Sequence, residues 1–400
     1  VVSDTARRFP AASGFFVSEV WPKREENQMK IPETMTAAVL SGHGGFDKLE
    51  IRDDVPVPRA GHGEVLIQVG ACGMNNTDIN TRIGWYSETV STGTTAHGAA
   101  EGITDVAEQQ ATWGFGALVF PRIQGADVAG RIVAVGRHVS PRRVGQRVLV
   151  DPWLRDPADP TNRDRAGYLG SERDGGFAQF VTVPGENAFA IQSNYSDAEL
   201  ASFPCAYSTA EHMLTRVDLQ ADEKILITGA SGGVGSALVQ LAKRRGGWVL
   251  ALSRASKKKT LENLGADAVI DRGSDNLAER LKSILPGHAC DVVADVVGGE
   301  AFASLLTLLC RGGRYVTSGA IAGPIVRLDL RALYLKDLVM HGATVMPVGI
   351  FARLVEYIEK EEIRPLLARQ YDLQDIHAAQ REFLKKNYVG NIVLQPPGIS

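Results

Sequence analysis

The chain has 400 residues, 44% apolar and 22% charged, with a formal charge of -3 and a sequence pI near 6.3. That length exceeds what one core usually organises and predicts two domains. The near-balanced charge argues against nucleic acid as a partner. No stretch reaches the ~18 continuous apolar residues that a membrane span needs, and Cys72, Cys205, Cys290 and Cys310 are too scattered for a disulfide framework, so no membrane association and a reducing, cytoplasmic location are expected.

In chain order, residues 1–30 read as an N-terminal extension. Arg7 and Arg8 precede a short apolar stretch interrupted by Ser18 and Glu19, a poor secretory signal, and Met29 is an alternative start because the first strand-like run, MTAAVLSG, follows it. From Thr36 to Pro184, short alternating segments such as GEVLIQVGACG, GRIVAVG and FAQFVTVP predict an antiparallel, strand-rich domain. Tyr86 to Phe120 has little periodicity before Asp105 and reads as a long loop, either a functional lid or disordered. From Asp222 the rhythm becomes strand, helix, strand, with helices expected at 232–245, 258–264, 277–285 and 301–310, which implies a parallel sheet covered on both faces. Helices near 351–360 and 376–386 and a strand in GNIVLQP then return to the first domain. The expected division is 31–195 with 341–400 for the strand-rich domain and 196–340 for the α/β domain.

The motif LITGASGGVGSALVQLAK sets glycines at 229, 232, 233 and 235 between a strand and a helix whose Val234, Leu238, Leu241 and Ala242 form one apolar face. Gly232 lets backbone approach a pyrophosphate, Gly235 lets helix pack on strand, and the helix start, from Ser231 through Gly233 and Val234, supplies N–H groups and positive potential. This is read as a dinucleotide site. The second strand ends in Ser253 and Arg254, followed by Lys257, Lys258 and Lys259, where an NAD site usually has a carboxylate. A hydroxyl and cations suit a 2'-phosphate, so the expected cofactor is NADP(H). Val297, Ser318 and Gly319, at later strand ends, are expected along its nicotinamide half.

With QGADVAGRIVAVG, GQRVLV, DGGFAQFVTVP, LGADAVID and VGNIVL, these motifs make the chain from about Met35 to Pro396 resemble the medium-chain dehydrogenase/reductase superfamily. The resemblance implies an α/β fold: a Rossmann doubly wound parallel sheet plus a strand-rich GroES-like catalytic domain. Zinc alcohol dehydrogenases have a cysteine ligand followed by His-Thr-Asp where this chain has Asn75, Asn76, Thr77 and Asp78, and Gly-His-Glu where it has Gly125, Ala126 and Asp127. The cysteine cluster of their structural zinc is missing too, so no metal is expected, and Cys72 reads as a small buried hydrophobe.

The spacing of Asn75, Asp78, Arg82 and Tyr86 instead resembles the zinc-free quinone oxidoreductase and enoyl reductase branch. That implies Asn75 beside the nicotinamide ribose, Thr209 beside the nicotinamide, and Asn80 in place of a tyrosine that commonly faces substrate. Asn75, Asn80 and Tyr86 are therefore the catalytic candidates, with Asn75 also counted as a cofactor contact. The resulting expectation is NADPH-dependent hydride transfer to a small-molecule quinone, enone or enoyl thioester by a homodimer or homotetramer. An alcohol dehydrogenase and a non-catalytic NADPH-binding protein remain as alternatives. His212 reads as structural rather than as an acid.

Overall fold

The computed structural model describes residues 30–103, 118–275, 277–285, 287 and 289–398. The expected N-terminal extension up to residue 29, and 104–117 of the expected long loop, lie outside the described residues. Pro32–Ser400 is one compact unit and carries every element below.

The strand Glu64–Met74 is the spine of a seven-stranded sheet. It pairs antiparallel with Asp127–Val135, Phe180–Pro184 and Asn391–Gln395. Both of its faces are largely buried, so Val65, Ile67 and Val69 are enclosed together with Leu66 and Ala71. The C-terminal strand joins this sheet as expected, and brings with it an unexpected strand, Leu367–Asp372, paired in parallel.

The second large sheet has six parallel strands. Trp248–Ser253 and Cys290–Asp295 flank Lys224–Ile227; Ala268–Asp271 lies outside the former, and Leu309–Thr317 and then Val339–Gly342 outside the latter. The chain starts in the middle, winds one way, then returns to the centre and winds the other, which leaves a crevice at the carboxyl ends of the central strands. The helix Gly233–Arg244 covers this sheet with Leu238, Leu241 and Ala242 fully buried, and each leucine contributes about 1.5–3 kcal/mol by leaving water. One continuous core joins the two sheets, from Ala71 and Val393 on one side to Ile225 and Leu238 on the other.

Two elements differ from the sequence expectation. The helix expected at 301–310 is shorter, Phe302–Thr307, because Leu309 and Cys310 already belong to a strand in which Leu309 pairs with Cys290. The run LLTLLC is buried whichever form it takes, so its period is uninformative. Within the expected 86–120 loop, Ala96–Glu101 forms a short helix, with Thr95 accepting the Gly98 N–H at its start. Among the described residues, no helix is long and apolar enough to cross a membrane.

Candidate active site

The helix Asn76–Ile83 begins where the spine strand ends. Asn75 is its N-cap, and its backbone N–H donates to the Asp78 carboxylate at 2.7 Å, while Gly84 closes the helix in the left-handed conformation at φ 74°. The cap holds the Asn75 side chain against the neighbouring strand, where Nδ2 donates to Asp127 Oδ2 at 3.0 Å. The other oxygen of Asp127 accepts the Cys205 N–H at 2.9 Å, at the start of the helix Pro204–Arg216. Burial raises the Asp127 carboxyl to about 8, with the Asn75 and Cys205 bonds opposing it, and raises Asp78 to about 7.

On that helix Cys205 and Thr209 are half-buried, while Ala206, Tyr207, Ser208 and Ala210 between and beside them are buried. Residues four apart share a helix face, so this face looks into the crevice. The Cys205 thiol hydrogen-bonds Tyr168 and Thr209, and burial pushes its pKa up, keeping it protonated. One turn further, Met213 Sδ receives the Ser318 hydroxyl at 3.1 Å. The helix thereby joins the expected nicotinamide strand end to the Asn75 cluster.

Asn80 and Tyr86 are also brought together. The Asn80 side chain hydrogen-bonds the Tyr86 hydroxyl, and its Oδ1 accepts from Thr94 Oγ1 at 2.8 Å. Trp85 meets Tyr86 edge to face at 5.5 Å and donates through Nε1 to Thr92 O, which organises the turn between them. Thr94 N then donates to Ile321 O at 3.0 Å, and a Cβ on Gly93 would lie 2.5 Å from the same oxygen. This segment therefore packs backbone to backbone on the chain just beyond Ser318 and Gly319.

Arg82, which fits the family spacing, lies away from this cluster. It is fully buried and donates to Gly44 O, Ala99 O and Gln380 Oε1, so it braces the scaffold. His212 is buried on the helix Pro204–Arg216, and burial, then Arg163 and Arg216, lowers its pKa to about 4, so it stays neutral.

The glycines divide the labour of the cofactor loop. An added Cβ at Gly235 would lie 2.2 Å from Gly229 O, at Gly233 2.3 Å from Asn391 Oδ1, and at Gly232 no nearer than 3.5 Å to Gly229 O. Gly235 and Gly233 are thus packing glycines, and Gly232 is the open one. Gly235→Ala is expected to abolish dinucleotide binding in a fluorescence titration while leaving the circular dichroism spectrum intact, because the obstructing atom is backbone. Retained binding would mean that the loop yields.

Ser253 Oγ is buried with no hydrogen-bond partner at the end of the second strand. Next to it Lys257 Nζ donates to Ser231 Oγ at 3.0 Å and to Lys386 O at 2.7 Å. Its pKa is lowered to about 8 by burial, then by Arg254 and Arg272. Arg254 Nη1 donates to Asn387 Oδ1 at 2.7 Å. Val297 N donates to Asp295 Oδ1 at 2.8 Å, and Gly319 O accepts the Thr317 hydroxyl at 3.1 Å, which fixes the two later strand ends. An orphaned hydroxyl, an open glycine and crowded cations fit a phosphorylated dinucleotide.

A zinc ion fits poorly. The places of the family's ligands hold the Asn75 amide, the Ala126 methyl, and the Asp127 carboxylate, whose two oxygens are already engaged. Among the described residues, no three His, Cys, Asp or Glu side chains are grouped to hold a metal.

Sequence reasoning missed Asp127 as a partner of Asn75, and missed Cys205, Tyr168, Thr94, Arg272 and Lys386. The spacing of Cys205 and Thr209 on one helix face was a usable signal. Nothing local in the sequence links Lys386 to Lys257, 129 residues away.

Two family models match, the alcohol dehydrogenase GroES-like domain over residues 61–193 and the zinc-binding dehydrogenase over residues 233–360. A solved structure from Sinorhizobium meliloti 1021, carrying an alcohol dehydrogenase name, is 46% identical, covers 92% of this chain and 98% of its own, and superposes with a TM-score of 0.83. An NAD-dependent alcohol dehydrogenase of Sulfolobus acidocaldarius is 26% identical over 90% of this chain and 99% of its own. The chloroplastic NADPH-dependent alkenal/one oxidoreductase of Arabidopsis thaliana is 27% identical over 92% and 81% respectively.

Proposed function

The chain belongs to the medium-chain dehydrogenase/reductase family of oxidoreductases, and we propose that within it the protein transfers a hydride from NADPH to a conjugated carbonyl acceptor, a quinone, enone or enoyl thioester, without zinc. The carrying observation is the closed Asn75–Asp127–Cys205 arrangement, which offers hydrogen bonds where a Lewis acid would need open ligands. A simple ketone then lacks strong polarisation of its oxygen, whereas conjugation spreads the charge that hydride addition creates. NADPH, when bound, supplies the hydride. Asn75 and Thr209 hold its nicotinamide end, and Ser253, Arg254 and Lys257 its 2'-phosphate. Tyr86 donates the proton to the acceptor oxygen, and Asn80 holds Tyr86.

A second reading, alcohol oxidation with a metal, is favoured by the match to the zinc-binding dehydrogenase model and by the alcohol dehydrogenase names of the Sinorhizobium meliloti and Sulfolobus acidocaldarius relatives. Oxidation of NADPH and NADH against quinones, enones, enoyl thioesters and simple aldehydes, with and without a chelator, decides between them. Chelator-insensitive, NADPH-preferring turnover of conjugated acceptors is the expected result. Chelator-sensitive turnover of aldehydes favours the second reading, and dinucleotide binding without any turnover favours a binding protein.

The proposed assembly is a homodimer built on the outer edge of the parallel sheet, with a tetramer of such pairs as the larger form. Of the twelve large apolar residues exposed among the described residues, nine lie between 325 and 348, including Ile325 at 71%, Tyr334 at 62% and Leu335 at 57%. The strand Val339–Gly342 pairs on one side only, and a second copy of the same edge would satisfy its backbone. Val339→Lys is expected to shift the mass measured by light scattering toward the monomer; an unchanged oligomer would move the interface elsewhere.

A further inference from the structure

Asn80 is 7% exposed, and its side chain has two hydrogen-bond partners. The carbonyl end takes the Thr94 hydroxyl at 2.8 Å, and the side chain also hydrogen-bonds Tyr86. A primary amide has one accepting end and one donating end. The carbonyl oxygen takes Thr94, and the bond to Asn80 lowers the Tyr86 pKa, as a donor to the phenolic oxygen does, so the nitrogen is the end that turns to the phenol. A phenolic oxygen that accepts from an amide N–H directs its own proton to a further acceptor.

We infer that Thr94 is a positioning residue which, by fixing the Asn80 amide, sets Tyr86 as the proton donor to an acceptor oxygen at the nicotinamide end of the parallel sheet. The inference deepens the reductase reading and rests on it. Its geometry has a second anchor, since Thr94 N donates to Ile321 O at 3.0 Å and Gly93 leaves no room for a side chain against that oxygen. The residue that orients the donor is thus tied by its backbone to the sheet end that holds the hydride source.

In the reduction, the acceptor gains the hydride at carbon and its π electrons move onto oxygen. The Tyr86 O–H bond breaks as an O–H bond forms on that oxygen. The resulting phenolate keeps the Asn80 N–H bond, which favours the charged form, until solvent returns the proton.

A loop staple and a positioning residue make different predictions. Thr94→Val is expected to lower kcat for a conjugated enone by about 10- to 100-fold, the scale of a small misplacement of a reacting group. KM for NADPH should stay constant, and the solvent deuterium isotope effect on kcat should rise as protonation becomes limiting. Thr94→Ser, which keeps the hydroxyl, should restore both. A Val variant with wild-type kcat and isotope effect, or a Ser variant as impaired as Val, overturns the positioning role even if thermal stability falls.

A readout independent of turnover separates this inference from the reductase reading. The side-chain amide 15N–1H resonances of Asn80, assigned by their loss in Asn80→Asp, should move in both Thr94→Val and Tyr86→Phe. Unmoved resonances overturn the relay itself. Silence of the wild-type protein on every conjugated acceptor overturns the reductase reading, and the proton-donor role with it.

Discussion

Tyr86→Phe is expected to lower kcat for a conjugated enone by about 10²–10⁴-fold, the range that general acid catalysis contributes, with NADPH affinity unchanged. The phenol is pushed up by burial and pulled back by the Asn80 bond, and it stays protonated at neutral pH, as a donor must. The edge-on contact with Trp85 survives the substitution because the ring is retained. Steady-state kinetics with a parallel fluorescence titration of NADPH measure both quantities. A variant with undiminished kcat would remove Tyr86 from the chemistry and leave it as an aromatic brace.

Lys257→Ala is the second large effect. A hydrogen bond to a charged partner is worth about 1.5–3 kcal/mol, so kcat/KM for NADPH should fall by about 10- to 150-fold while that for NADH barely moves. The sign of the pH dependence follows from the lowered pKa. Lys257 is held near 8 in the unliganded protein, and a 2'-phosphate favours its charged form, so NADPH affinity is fully present below that value and is lost as pH rises through and beyond about 8. NADH affinity should lack this fall. Equal losses for the two cofactors would mean that Lys257 supports the loop through Ser231 and Lys386 and leaves the phosphate to its neighbours.

How much of this was legible depended on the length scale of each signal. The glycine loop was readable because a strand, four glycines and an amphipathic helix are consecutive, and Gly233 and Gly235 do local steric work while Gly232 stays open. The parallel sheet was readable from its alternating rhythm, except at its outer edge. Val339 and Met340 there are both exposed, so no period marks the strand Val339–Gly342. Asn75, Asn80 and Tyr86 were candidates only through the resemblance to a family pattern, in which Asn80 stands where a tyrosine is common. Their partners could not be named, because Asp127 lies 52 residues from Asn75 and meets it only through the pairing of two strands. Arg82 is in step with the same family pattern, yet it acts as a buried brace, and spacing alone does not separate bracing from catalysis.

The last strand's approach carries a consequence for recombination. Lys386 O accepts from Lys257, Gly390 N donates to Ser231 O, and the Asn391 side chain fills the space in front of Gly233 while donating to Ser202 O at 2.6 Å. One wall of the nucleotide loop is therefore contributed by residues 386–391, far along the chain from residues 196–340. A chimera that grafts 196–340 alone onto a relative's remaining segments would inherit the glycines without the wall they are fitted to. Cofactor preference in such exchanges should travel with residues 386–391 as well as with the loop.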